Sequence, residues 1–202
     1  MEQEYKWKLA APADAQALLN IQTIRSQIVG HETVEMAATY YDTPGRLLWQ
    51  LHGGLRLRRE NQVSVCCLKL SVTEISGCAL REEYEAQANT IEEGLSLLPN
   101  KGAPAELCSR LQAEGLTELC AVTYTRQAYQ LRVIRDRMTC TGELTVDLGS
   151  ASRQGRSGPI SEMEFEMKSG DEASFHVFAQ ELAAEFHLEP EPLSKLARAM
   201  SV

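Results

Sequence analysis

The chain has 202 residues, 44% of them hydrophobic and 24% charged, with a formal net charge of −8. That mixture suits a soluble globular protein with core material for a single domain spanning residues 1–202, and the acidic balance argues against a nucleic-acid binder, which needs a basic face to displace counterions from phosphates. No run of about 18 apolar residues marks a membrane span, and Met1-Glu2-Gln3-Glu4 is not a basic-then-apolar leader, so a cytoplasmic location and no membrane partner are expected.

Residues 2–8 alternate at period two, the pattern of a strand with one special face. From Pro12 to about Arg25, Ala17, Leu18, Ile21 and Ile24 recur at helical spacing, and Pro12 suits a first helical position. A strand is predicted over Thr33–Asp42, ending in the turn residues Asp42-Thr43-Pro44-Gly45. Strands near Gly54–Glu60 and Val63–Ser71 flank Asn61-Gln62 as a hairpin turn, and another covers Ala79–Ala88. Thr90 with Glu93 forms a capping box that starts a helix, and Pro104–Ala113 reads as a second. Strands return at about Leu119–Ala128, Tyr129–Met138, Gly142–Leu148 and Ile160–Lys168, with Gly149–Pro159 as a long hairpin loop. A last helix, capped by Asp171, carries Phe175, Phe178, Leu182 and Phe186 on one face. Eight or nine strands joined mainly by short turns predict a mainly β protein, an antiparallel sheet that closes on itself with helices packed outside.

The charged residues keep phase along these strands. Glu2, Glu4, Lys6 and Lys8 share one face, as do Arg56 and Arg58, then Arg81, Glu83 and Glu85, then Glu143, Thr145 and Asp147, and finally Glu162, Glu164, Glu166 and Lys168. Met163, Phe165 and Met167 occupy the face opposite the last set. An unpaired ion packed into an apolar core costs several kcal/mol, so each charged face either meets water or lines a polar cavity. The first reading is a half-exposed sheet, and the second is an inverted barrel with ions inside and apolar residues outside under helices. Arginine supplies 14 of the 20 basic residues, which favours phosphate recognition if those arginines converge. The six cysteines lack metal-site spacing and read as reduced core residues, and the four scattered histidines fit no metal pattern.

Several motifs then occur in a telling order. Glu2-Gln3-Glu4-Tyr5-Lys6 is similar to the ExExK signature of the CYTH superfamily, the triphosphate tunnel metalloenzymes. Tyr40-Tyr41-Asp42-Thr43-Pro44 resembles that family's YxDTP segment, followed by Leu55-Arg56-Leu57-Arg58, Cys67-Leu68-Lys69 and Arg81-Glu82-Glu83. Arg126, the acidic strand from Glu143 to Asp147, Glu162-Met163-Glu164 and Ser194-Lys195 resemble the family's second-half motifs. The resemblance spans nearly the whole chain. It implies an eight-stranded antiparallel barrel forming a tunnel, inorganic-triphosphatase-like, that acts on triphosphates with Mg2+ or Mn2+.

Carried over residue by residue, the resemblance implies that Lys6, Arg56, Arg58, Lys69, Arg81, Arg126 and Lys195 bind triphosphate oxygens. It assigns Glu2, Glu4, Asp147, Glu162 and Glu164 to the metal, with Glu83 nearby. The catalytic set is then Glu2, Glu4, Lys6, Arg56, Arg58 and Glu164. A carboxylate-only donor set suits a hard cation, and clamping a polyanion for in-line attack is mainly positioning and electrostatics. Lys8, Arg59 and Lys168 are expected as exterior or rim ions rather than ligands, and Glu85 and Glu166 in the wall without metal contact. Tyr124 stands where relatives often place a lysine, which is expected to weaken phosphate binding or alter substrate preference. No histidine-rich helical region follows the motifs, so a polyphosphate-associated two-domain arrangement is not expected. The favoured activity is metal-dependent hydrolysis of inorganic triphosphate or a related small triphosphate. The alternatives are a class IV type adenylate cyclase and a non-catalytic barrel that binds a phosphorylated ligand. A homodimer is compatible with the chain.

Overall fold

The structure, a computed structural model, describes residues 2–10, 19–20, 22–75, 77–135 and 137–202. Its centre is a closed barrel of eight antiparallel strands: β1 (Glu2–Lys8), β2 (Ile28–Asp42), β3 (Gly54–Glu60), β4 (Val63–Ile75), β5 (Cys78–Gln87), β6 (Thr117–Arg135), β7 (Met138–Arg153) and β8 (Arg156–Gly170). The order around the wall is β1-β5-β4-β3-β2-β6-β7-β8, and β8 closes on β1. Closure removes the unpaired edges that an open sheet of this size exposes. The helices are α1 (Gln22–Arg25), α2 (Leu47–Gln50), α3 (Ile91–Leu97), α4 (Ala105–Glu114), α5 (Glu172–Glu185) and α6 (Lys195–Ser201). Among the described residues, no helix is long and apolar enough to cross a membrane.

The apolar strand faces point outward, as the inverted-barrel reading requires. Tyr5, Trp7, Leu144, Val146, Met163 and Phe165 pack under Phe175, Phe178 and Leu182 of α5. On the other side Leu55, Cys66, Leu68 and Ala86 pack under α2, α3 and α4 through Leu48, Ile91, Leu95, Cys108 and Leu111. These two walls are therefore buried on their outer faces by helices, which leaves their inner faces for the ions. A third apolar group lies inside one end of the barrel, where Met36, Ala38, Tyr40, Val122, Tyr124 and Ile160 meet Ala199 of α6. All six cysteines are buried.

Strand boundaries differ from the sequence reading in ways that have physical causes. Leu119–Ala128 and Tyr129–Met138 are one long strand, β6, because no turn residue separates them; the reversal comes at Arg137, which has φ 72°. Gly149–Pro159 is not a loop. Both strands run through it to a tight turn where Gln154 (φ 51°) and Gly155 (φ 79°) adopt the left-handed conformation of a primed hairpin turn. β2 begins at Ile28 rather than Thr33, since β6 is long enough to pair with it there. α2 and α6 were unforeseen, because each is too short to show a helical period. Most of the helix expected from Pro12 lies outside the described residues, and its end is helical at Gln22–Arg25.

The Asp42-Thr43-Pro44 turn is architectural. Asp42 is 1% exposed, and its carboxylate accepts from the backbone N–H groups of Thr43 (2.8 Å), Leu48 (2.9 Å) and Trp49 (3.1 Å). It thereby satisfies the free donors at the start of α2, which has no cap of its own. Asp42→Ala is expected to lower unfolding free energy by about 3 kcal/mol, read as a shifted urea midpoint at unchanged slope. Ligand affinity of the folded variant stays the same, because Asp42 does not line the tunnel.

Candidate active site in the barrel tunnel

Period-two alternation turns Glu2, Glu4 and Lys6 of β1 inward, together with Arg56 and Arg58 of β3, Lys69 of β4, and Arg81, Glu83 and Glu85 of β5. Arg126 of β6, Glu143 of β7, Glu164, Glu166 and Lys168 of β8, and Lys195 of α6 complete the polar lining of a cavity of about 540 Å3. Every residue that the resemblance assigns to triphosphate lies in this wall, as do Glu2, Glu4 and Glu164 from the metal set. Asp147 and Glu162 do not reach the cavity surface and are fully enclosed. Lys8 and Arg59 are exposed and outside the lining, whereas Lys168 stands at its edge.

The ions form two connected groups. In the first, Lys69 Nζ lies 2.7 Å from Glu83 and 3.2 Å from Glu2, while Arg81 meets Glu4 at 2.9 Å and Arg56 meets Glu83 at 3.6 Å. Arg56 is under-used, since its buried Nε has no hydrogen-bond partner. Burial, a hydrogen bond with Glu83 and the nearby negative charges push the Glu2 carboxyl up to about 8, against the pull of Lys69. Burial would raise Glu83 as well, but the hydrogen bond from Glu2 and the Lys69 and Arg56 charges outweigh it and hold Glu83 below the carboxylate range. The Cys67 thiol donates to Glu83 at 2.9 Å, and burial pushes that thiol upward, which keeps it protonated. Cys67, Glu83 and Glu85 also bring their ligand atoms within 4.8 Å of one another.

The second group is built around Lys195, placed by α6. Ser194 caps that helix by accepting from Ala197 N–H at 3.1 Å, so the ammonium enters the barrel at a fixed point. Lys195 contacts Asp147 (2.7 Å), Glu164 (3.0 Å) and Glu162. Burial acts against its charge, but the three carboxylates outweigh that and hold Lys195 well above the ordinary lysine range. Arg126 grips Asp147 through Nε (2.8 Å) and Nη2 (2.7 Å) and reaches Glu164 at 2.8 Å. Arg198, which the sequence reading missed, pairs with Glu162 and lies 3.9 Å from Glu191. Burial raises Glu162 to about 7 despite Lys195, whereas Lys195 and Arg126 overcome burial at Glu164 and hold it well below the carboxylate range.

Two further positions belong to the site. Tyr124 is 4% exposed, and its ring lies 5.1 Å from Lys195 Nζ and 5.8 Å from the Arg126 guanidinium carbon, cation–π distances at which an aromatic face supports both. Gly149 lets the β6 backbone that carries Tyr124 approach closely, since a Cβ there would stand 2.5 Å from the Tyr124 Cα and 2.6 Å from its Cβ. Lys6 donates to the Leu193 carbonyl at 2.8 Å, and burial lowers its affinity for a proton. Leu193 belongs to the segment that crosses the barrel end, where Trp7 pairs with Pro190 and Glu191 N–H donates to the Lys6 carbonyl at 3.0 Å.

The profile of the CYTH domain matches residues 1–200. The chain belongs to the CYTH family. Its 28% identity over 203 aligned residues to an inorganic triphosphatase of Haemophilus influenzae covers 98% of this chain and 54% of that protein, so the CYTH chain spans about half the length of the curated relative it matches. Among solved CYTH-like folds, HpAC1 from Hippeastrum, a candidate adenylyl cyclase with a dominant triphosphatase activity, superposes with a TM-score of 0.69 at 18% identity, covering 100% of this chain and 96% of its own. The PH1819 protein from Pyrococcus horikoshii gives 0.60 at 17% identity, with 100% and 99% covered. These structural likenesses establish the closed CYTH barrel, and the chemistry rests on the residues inside it.

Proposed function

We propose that this barrel hydrolyses a triphosphate, inorganic triphosphate or a related small one, with a divalent cation. The observation that carries the reading is the convergence of Arg56, Lys69, Arg81, Arg126 and Lys195 on one enclosed cavity lined also by Glu2, Glu4 and Glu164. A triphosphate carries about four negative charges, and fixed cations set in low-dielectric walls stabilise them more than bulk solvent does. The curated relative in Haemophilus influenzae, an inorganic triphosphatase, points the same way. A cytoplasmic location fits such a substrate.

The donor chemistry suits Mg2+ or Mn2+. The candidate ligands on the cavity wall, Glu2, Glu4 and Glu164, are all carboxylates, and oxygen-only sets favour hard cations. Asp147, Glu162 and Glu164 hold ligand oxygens within 4.8 Å of one another, with Lys195 in their midst. Such a cation supplies charge neutralisation at phosphate oxygens and makes water a better nucleophile. The chain's own residues do the rest. Arg56 and Arg81 clamp the phosphate chain from one wall, and Arg126 and Lys195 clamp it from the other. Tyr124 holds the second pair level, and the helices outside keep the strands rigid.

Arg56→Ala is expected to raise KM and lower kcat, reducing kcat/KM by an amount equivalent to about 1.5–3 kcal/mol, because a charge-assisted phosphate contact disappears. Steady-state assays of phosphate release measure it, and an unaltered kcat/KM would put Arg56 outside the substrate contacts. The reading itself is tested by incubating the protein with inorganic triphosphate, ATP and thiamine triphosphate in Mg2+ or Mn2+. Phosphate release is the expected result. Cyclic AMP with pyrophosphate would make the barrel a cyclase instead, and tight binding without turnover would make it a phosphate-ligand receptor.

A further inference from the structure

The tunnel is electrically polarised along its axis. The interior holds Arg56, Lys69, Arg81, Arg126 and Lys195, whereas the far halves of β3, β5, β7 and β8 bring Glu60, Glu85, Glu143 and Glu166 to one mouth. Exposure falls along the axis, from 41% and 45% for the Glu85 and Lys168 side chains, through 20–26% for Glu143, Lys69 and Glu166, to 6% for Glu4 and 7% for Lys195. Among the described residues lining the mouth, two cations stand against those four carboxylates, and both are shared. Arg58 pairs with Glu60 and with Glu85 at 3.2 Å, and Lys168 lies 2.7 Å from Glu166 and 3.8 Å from Glu143. Glu32 of β2 adds a further negative charge at the same end. The opposite end has its own cations, Arg153 and Arg198, but these are engaged by the Met200 carbonyl and by Glu162. It is filled by the apolar group around Tyr40, Ile160 and Ala199, and crossed by the Leu193 carbonyl that already accepts from Lys6.

A phosphate chain longer than the cationic zone must therefore extend into one of two unfavourable surroundings. Outward, its next phosphate meets a net-negative ring, and like charges in a narrow cleft with low-dielectric walls repel more strongly than in water. Inward, it meets the closely packed group of Met36, Val122, Ile160 and Ala199, which fills that end of the barrel. We propose that Glu60, Glu85, Glu143 and Glu166 form an acidic collar that restricts the substrate to the triphosphate and rejects longer linear polyphosphates. The proposal rests on the reading of the barrel as a triphosphate site and adds what sets the length limit. Selectivity here comes from a repulsive element placed beside an attractive one.

The test compares inorganic triphosphate, linear tetraphosphate and long-chain polyphosphate on the wild-type protein and on the variant Glu60→Gln/Glu85→Gln/Glu166→Gln. These side chains lie outside the binding set, so hydrolysis of triphosphate should stay within about threefold of wild type. Wild type should prefer triphosphate over the long chain by at least about 100-fold in kcat/KM, and the variant should shrink that ratio at least about 10-fold by gaining on the long chain. An unmoved ratio in a folded variant, or a wild type that accepts all three equally, overturns the collar. Glu85→Gln alone, at the most exposed of these carboxylates, shows the same direction at smaller size if the triple variant fails to fold. Calorimetric affinities for triphosphate and tetraphosphate separate the two ideas. Without turnover, a triphosphate preference that the variant erases keeps the collar and removes the hydrolase reading; equal affinities, or no binding of either, remove the collar.

Discussion

Glu4→Gln lowers triphosphate turnover by at least about 100-fold while costing no more than about 1–2 kcal/mol of stability. Glu4 is buried, faces the cavity and pairs with Arg81 at 2.9 Å. Glutamine keeps its volume and one acceptor oxygen, so packing survives and Arg81 retains a neutral partner. What disappears is a negative charge in the carboxylate set proposed to hold the cation. Titration calorimetry should accordingly show weakened Mn2+ affinity, while metal-free triphosphate binds the variant at least as well as the wild type, because one repulsive charge is gone. Unchanged turnover would remove Glu4 from the metal set.

Lys195→Met is the most damaging single change expected, with a loss of about 3–5 kcal/mol of stability as well as activity. The ammonium is 7% exposed and faces Asp147, Glu162 and Glu164, two of which have no solvent contact at all. Methionine fills the stem's volume against Tyr124 but leaves those carboxylates with Arg126, Arg198 and the nearby Lys6. Loss of the ammonium lifts Glu162 further above its unfolded value and removes the largest charge that holds Glu164 low. A raised acid contributes most below its unfolded pKa and loses that contribution as pH increases, so the variant's deficit grows from acid toward neutral pH. Urea melts of both proteins at about pH 5 and pH 8 measure it. A deficit independent of pH would mean that Lys195 acts through packing alone.

Much of this site was legible because a strand has a period of two. Once Glu2, Glu4 and Lys6 share a face, and Arg56 with Arg58 and Glu164 with Glu166 do likewise, each strand offers an ionic side and an apolar side. Met163 and Phe165 could then only turn toward the covering helix. Period two specifies the face and not the depth, however. Asp147 and Glu164 look equivalent in the sequence, yet Asp147 is locked behind Arg126 and Lys195 while Glu164 lines the cavity. Depth depends on α6, a seven-residue helix too short for any periodic signal, whose Lys195 and Arg198 reach the barrel from sequence-distant positions. The same limit hid Arg198 as the partner of Glu162. Turn chemistry misled in the other direction. Ser, Gly and Arg between Gly149 and Pro159 read as a loop, but Gly149 is small because the β6 backbone at Thr123 and Tyr124 lies against it. Asp42 belongs to a motif that accompanies the site, and the structure shows it holding α2 in place instead.

The most direct test of the account is a crystal structure of the protein with inorganic triphosphate and Mn2+, with the cation located by anomalous scattering. The phosphate chain should lie inside the barrel against Arg56, Arg81, Arg126 and Lys195, with manganese on Glu2, Glu4 or Glu164. Phosphate bound only on the outer surface, with these ion pairs undisturbed, would contradict it.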